Sequence, residues 1–209
     1  MSNEPLIEQY NNHLNDLDLN SISELIHKEN PDSIISSFDK KLLSKYLNKI
    51  IDCKNTFLFT GKLKNEIISY AILAEKPSYL ITEFTEFRLD ILKCLLIKIK
   101  IITLFNIFLK LFGLDMILVS KKNKELINEN LNLNMIAVKS EHQSTGIGSF
   151  FLNSIISKIN RDNRYNAISL ESLDKRAFNF YKIKLGFSAI GVKLRFFKNL
   201  KVQIKLLKE

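Results

Sequence analysis

Tryptophan is absent from this 209-residue chain, and cysteine, proline and glycine are scarce at two, three and six residues. So little glycine and proline excludes a collagen-like repeat, long Pro-rich linkers and a turn-dense protein of small strands. Each glycine therefore marks a place where the backbone asks for something special. Cys53 and Cys94 lie far apart, with no CxxC and no histidine beside either. That pattern excludes a zinc site and a disulfide framework, fits a reducing compartment, and leads us to expect no metal. Arginine is scarce as well: Arg88, Arg161, Arg164, Arg176 and Arg195 stand among 31 basic residues. The formal charge of +9 thus comes mostly from lysines spread over the whole chain. Readers of nucleic acid concentrate guanidinium forks against phosphates and bases, and no such patch exists here. No nucleic-acid partner is expected. Met1–Tyr10 is polar and acidic, unlike a signal peptide, so a cytoplasmic location is expected.

With 46% apolar and 25% charged residues the chain has the composition of a globular protein. Its length predicts one domain over 1–209 carrying an extension or insertion. One long apolar run stands out, Ile91–Phe112. Lys93, Lys98, Lys100 and Lys110 interrupt it, and a lysine near the centre of a membrane span costs ~2.5–3.5 kcal/mol. At helical spacing the run has a narrow polar stripe and a very wide apolar face. We expect its own domain or a second subunit, in a homodimer, to cover that face; contact with a membrane surface is the weaker alternative.

Spacing of apolar residues predicts helix from Ser21 to Asp52, broken at Asn30-Pro31. Thr56–Thr60 reads as a strand, Gly61–Asn65 as a tight turn, and Glu66–Ala74 as the hairpin partner. An apolar helical insertion follows over 79–118. Asn130–Lys139 begins with strict alternation and ends in an apolar run, as a strand entering a sheet centre does. After a polar loop, Ser149–Asn160 is an amphipathic helix, Ala167–Leu170 a strand, and Lys175–Leu185 a helix stopped by Gly186. Phe187–Phe197 and Leu200–Leu207 form a last hairpin. The expected class is a mixed α/β (α+β) fold: a mostly antiparallel twisted sheet flanked by helices.

Between the buried strand and the amphipathic helix lies Gln143-Ser144-Thr145-Gly146-Ile147-Gly148. Two glycines one residue apart let the backbone pass close to a ligand, with N–H groups turned inward at the positive end of a helix. Such a loop suits a pyrophosphate; the alternative is a plain tight turn. A P-loop would need Gly-Lys-Ser/Thr where Gly148-Ser149-Phe150 stands. A dinucleotide fingerprint would need a small residue at Phe151 and its first glycine directly after the strand. Neither fits.

The segment resembles the acetyl-CoA loop of the GNAT N-acetyltransferase superfamily, Gln/Arg-x-x-Gly-x-Gly/Ala between strand and helix. Downstream, Ala177-Phe178-Asn179-Phe180-Tyr181-Lys182-Ile183-Lys184-Leu185-Gly186-Phe187 resembles that family's second signature, Ala-x-x-x-Tyr-x-x-x-Gly-Phe. The resemblance is specific over 131–197, which makes this the expected acetyl-CoA-binding core behind a helical N-terminal segment at 1–55. It implies a GNAT-like sheet and an N-acetyltransferase that moves an acetyl group from acetyl-CoA to a primary amine. Ile136, Ala137 and Val138 would pair with the pantetheine arm, and Gln143, Ser144, Thr145, Gly146, Ile147 and Gly148 would hold the pyrophosphate. Tyr181 would lie near the thioester sulfur and protonate the leaving thiolate; the alternative is a tyrosine packed on the sheet.

Two departures are visible. Asp174 stands where the family often has a cofactor-touching asparagine, and no carboxylate lies on Leu131–Val138, where some members keep a general base. Glu171 is the substitute by position, and His142 the second. The front half is similar in layout to a bacterial subgroup associated with surface-polysaccharide and nucleotide-sugar pathways. That layout implies a small amine acceptor, with a nucleotide-linked amino sugar as the specific expectation. Tyr79, Glu83, Glu86 and Arg88 flank the insertion and are candidates to line the acceptor pocket. The competing readings are a CoA-binding module without catalysis and a membrane- or partner-binding protein using 91–112.

Overall fold

The computed structural model describes residues 4–33, 35–75, 85–87, 89–90, 93, 109, 118–193 and 199–207. Helix α1 (Asp16–Glu29) begins where the Asn15 side chain accepts the Asp18 N–H at 2.8 Å, with Asp16 and Asp18 in its first turn. A side-chain acceptor and early negative charge satisfy orphan donors and favour the helix dipole. Helix α2 (Lys40–Asp52) starts the same way on Asp39, which accepts from Leu42 N–H at 2.7 Å. Leu19, Ile22, Leu25 and Ile26 of α1 and Leu42, Leu43, Tyr46, Leu47 and Ile50 of α2 are buried. Their i, i+3, i+4 spacing builds one apolar core layer.

Strands β1 (Leu6–Gln9), β2 (Thr56–Leu63), β3 (Glu66–Glu75), β4 (Leu131–Val138), β5 (Ala167–Ser172), β6 (Ser188–Lys193) and β7 (Leu200–Leu206) form one sheet. Their order is β1-β2-β3-β4-β5-β7-β6, and β4–β5 is the one parallel pair among these. Helix α3 (Lys121–Asn128) covers a small cluster of Val119, Ile127 and Val202. Helix α4 (Ile147–Asp162) buries Phe151, Leu152, Ile155, Ile156 and Ile159 against a second core layer. With helices over both of its faces, β3 is almost continuously buried, which explains its unbroken apolar run.

Several expectations shift here. Four residues near the N-terminus add β1, tied down by Lys62, which reaches Glu8 at 2.8 Å and Asp18 at 3.3 Å. The hairpin turn is Lys64-Asn65, both at positive φ (50° and 67°), rather than Gly61–Asn65. Gly61 continues β2 at a bulge, where a Cβ would collide with the Ser69 hydroxyl. The helix expected over Lys175–Leu185 is a short α-helix, α5 (Lys175–Asn179), running into a π-turn at Phe180–Lys184. Helix α3 had no counterpart in the sequence reading, and α4 starts two residues before Ser149. The insertion at 79–118 lies outside the described residues apart from a few positions. Among the described residues no helix is long and apolar enough to cross a membrane.

Candidate active site

Strand β4 carries one more residue than its partner. The register with β3 runs Ile72↔Met135 and then Leu73↔Leu133, so Asn134 is a bulge. The bulge bends β4 away from β5, and their pairing ends at Leu133↔Leu170. From Ile136 onward one edge of β4 faces a cleft instead of a strand. Lys139 N–H bonds Ile68 O at 2.8 Å on the β3 side, so by alternation Ile136 and Val138 turn their backbone groups to the cleft, while Ala137 turns to β3. Val138 O is taken by Gln143 Nε2 at 3.0 Å. Ile136 N–H and C=O and Val138 N–H have no protein partner among the described residues, the state of a strand edge ready to accept another extended chain.

The cleft holds about 750 Å³ and ends at the loop before α4. Gly146 is the N-cap of α4 at φ +92°, with no side chain to cap the helix. Phe150 N–H is the first in the helix to find a carbonyl, Gly146 O at 3.0 Å. The N–H groups of Ile147, Gly148 and Ser149 therefore lack intrahelical acceptors, and the helix dipole adds partial positive charge. Ser144 is also left-handed, at φ 65°. Beside the loop the Arg176 guanidinium lies 3.4 Å from the Ser144 hydroxyl. A concave backbone with unpaired N–H groups and a flanking guanidinium is an anion cradle, and the group it fits by chemistry and position is a pyrophosphate.

Tyr181 lies in the π-turn, its ring edge-on to Phe180 and Phe187 at 5.2 and 5.9 Å. Its hydroxyl has no hydrogen-bond partner among the described residues, and the side chain lines the cleft. Burial, with the Asp174 carboxylate second, pushes the phenol up to about 12. Asp174 itself caps α5, accepting Ala177 N–H at 2.7 Å, so its carboxylate is engaged in helix capping.

The cleft brings together Ile136, Ala137, Val138, Gln143, Ser144, Gly146, Gly148, Asp174 and Tyr181 of the residues the sequence singled out. Thr145 and Ile147 lie beside it; the Thr145 hydroxyl bonds His142 O at 2.7 Å. Glu171 and His142 are not in its wall. Glu171 pairs at 2.5 Å with Lys193, whose side chain is 1% exposed, and His142 sits in a 3-10 turn beside Glu141. Sequence reading missed Glu29, Arg176 and Lys184. Lys184 and Arg176 fall inside the second signature but have no pattern of their own, and Glu29 is more than a hundred residues from the loop it touches. Tyr79, Glu83 and Arg88 lie outside the described residues, as does the side chain of Glu86. Among the described residues no group of three His, Cys, Asp or Glu could hold a metal.

No family model and no curated protein matches the sequence. Solved structures do. An acetyltransferase of the GNAT family from Streptococcus pneumoniae superposes with a TM-score of 0.57 at 12% identity, covering 97% of this chain and 100% of its own. The spermidine N-acetyltransferase of Vibrio cholerae, in complex with CoA and spermine, gives 0.59 at 16%, covering 96% and 95%. The ribosomal-protein-S18-alanine N-acetyltransferase of Escherichia coli gives 0.53 at 11%, covering 98% and 96%. Together with the bulged β4, its parting from β5 and the helix that follows, these likenesses show that the chain has the GNAT acetyltransferase fold.

Proposed function

We propose that the chain is an acetyl-CoA-dependent N-acetyltransferase whose acceptor is the primary amine of a small molecule. The observation that carries this reading is the free edge of β4 leading to the cradle at Ser144–Ser149, with the unpartnered Tyr181 phenol in the same wall. Bound acetyl-CoA supplies the thioester, whose acetyl carbon the amine attacks and whose sulfur departs with the bonding electrons. Ile136 and Val138 hold the pantetheine arm through their cleft-facing backbone groups. The α4 N-terminus and Arg176 hold the diphosphate. Tyr181 presents its O–H to the sulfur as negative charge develops there. Tyr181 is thus placed to give the sulfur a hydrogen bond and, as the resemblance implies, to protonate the leaving thiolate. The carboxylates in the cleft wall, Glu29 and Asp174, already accept hydrogen bonds from protein donors. We propose water as the acceptor of the amine's proton.

The solved neighbours modify acceptors of different kinds, a polyamine in one case and a protein alanine in another, so the fold leaves the acceptor open. A nucleotide-linked amino sugar is the specific acceptor we propose, on the layout of the front half and the net charge of +9. A free-thiol assay with acetyl-CoA over nucleotide-linked amino sugars, polyamines, amino acids and N-terminal peptides tests it. Turnover with a sugar nucleotide is expected; turnover with peptides while every sugar is inert would contradict it.

A further inference from the structure

The cleft wall contains two charges of the wrong sign for an anion site, and one of them, Asp174, is taken up in capping α5. Glu29 closes the last turn of α1, lines the cleft and points its carboxylate at the β4–α4 connection. One oxygen accepts both the Ser140 N–H at 3.0 Å and the Ser140 hydroxyl at 2.6 Å; the other accepts Gln143 Nε2 at 3.2 Å. Two electrostatic effects oppose a carboxylate here. The C-terminal end of a helix carries partial negative charge, and the neighbouring cradle is built for an anion. The three hydrogen bonds offset that cost, since bonds to an ionised acceptor are the strong ones.

Those bonds join distant parts of the chain. Ser140 and Gln143 stand 111 and 114 residues from Glu29. The same Gln143 amide nitrogen donates to Val138 O, so the latch also fixes the end of β4. On its own side the anchor is firm. Asn30 N–H closes α1 on Ile26 O at 3.1 Å, and Asn30 Nδ2 donates to the hydroxyl of the buried Tyr70 at 2.8 Å.

We propose that Glu29 is a positioning residue, a carboxylate latch through which α1 holds the loop of residues 140–148 in its anion-binding shape before any ligand arrives. The role rests on the cofactor reading above. The loop contains two left-handed residues, Ser144 and Gly146, a conformation that costs a non-glycine residue energy and reverts unless its surroundings impose it. Holding it in advance removes an ordering cost from binding. The latch also consumes the donors of Ser140 and the Gln143 side chain. The phosphates are left to the N–H groups of the α4 N-terminus and to Arg176 beside Ser144.

Two measurements on the full chain test this. The first is titration calorimetry with CoA, on wild type and on Glu29→Ala and Glu29→Gln. The second is hydrogen exchange, in the ligand-free proteins, of the His142, Gln143 and Phe150 amides, whose bonds to Lys139 O, Ser140 O and Gly146 O close the loop at its two ends. Glu29→Ala should weaken CoA binding roughly 10- to 100-fold, the loss expected for a charge-assisted hydrogen-bond set. KM for acetyl-CoA should rise with it, kcat at saturation should fall less than about 3-fold, and the loop amides should exchange faster. Glu29→Gln keeps an acceptor for Ser140 and should recover part of the affinity, which also controls for an unfolded alanine variant. Wild-type affinity together with unchanged loop exchange in Glu29→Ala would overturn the latch. If wild-type protein itself fails to bind CoA, the cofactor reading falls while the exchange measurement still decides the latch: faster loop exchange upholds it, unchanged exchange refutes it.

Discussion

Tyr181 combines a half-buried ring with a hydroxyl that no protein group among the described residues engages, and that combination is what a donor waiting for a ligand atom requires. Tyr181→Phe should lower turnover roughly 10²–10³-fold, the usual loss for a donor aimed at developing charge, with Kd for CoA nearly unchanged. An unaltered rate would reduce the residue to packing against Phe180 and Phe187. Because burial raises the phenol to about 12, its proton stays in place through neutral and mildly alkaline pH, so Tyr181 should cause no loss of rate below about pH 10. The same shift has a stability consequence. A raised folded-state value means the stabilisation is complete below the ordinary phenol pKa near ~10 and is lost as pH climbs toward 12. Tyr10, held at about 12 by burial and by Asp18, acts in the same direction. Alkaline denaturation followed by circular dichroism should show stability falling through that window, less steeply in Tyr181→Phe. Glu171 is a different case, with its carboxylate against a lysine that has almost no exposure. Glu171→Gln should lower thermal stability, because it removes the charge of a carboxylate that pairs with a lysine of almost no exposure. A drop in turnover without any loss of stability would restore Glu171 as a candidate base.

Among the elements, the unit from β4 through the cradle to α4 was legible because each part has its own local signal. Alternation marks the strand, a glycine pair the cradle, and an apolar face the helix. The two glycines have different duties. Gly146 needs φ +92°, so Gly146→Ala should cost about 1–2 kcal/mol and slacken the cradle, although a Cβ there meets open space. A Cβ at Gly148 would find Phe180 and Val138 at 3.7 Å, ordinary contact, so Gly148→Ala should keep its melting temperature. Gly148→Val adds methyls that must enter the cleft and should abolish CoA binding in a folded protein. Equal melting temperatures for the alanine variants would contradict this division. Other elements were less legible for physical reasons. Strand β1 has four residues, too few to show a period, and its place is set by pairing with β2 and by Lys62. The π-turn at Phe180–Lys184 arises inside a run that reads as ordinary helix, since an i→i+5 bond leaves no compositional trace. The hairpin turns at Lys64-Asn65, the two residues at positive φ, while the glycine at 61 serves close approach to the Ser69 side chain and not turning.

At the scale of the molecule, the sheet class and element order could be read from the chain because strands buried on both faces and amphipathic helices leave distinct patterns. Long-range contacts could not. Nothing near Glu29 in sequence announces that it meets Ser140 and Gln143, and nothing near Lys193 announces that it meets Glu171. The cleft depends on the whole architecture: one parallel strand pair parted after a single extra residue, leaving a strand edge on one side and a helix N-terminus at the end. On the proposed reading this opening binds acetyl-CoA, and titration calorimetry of the intact chain with CoA is the decisive measurement. Saturable one-to-one binding at micromolar ligand, lost in Gly148→Val, is expected. No heat of binding up to millimolar CoA, from protein shown to be folded, would contradict it.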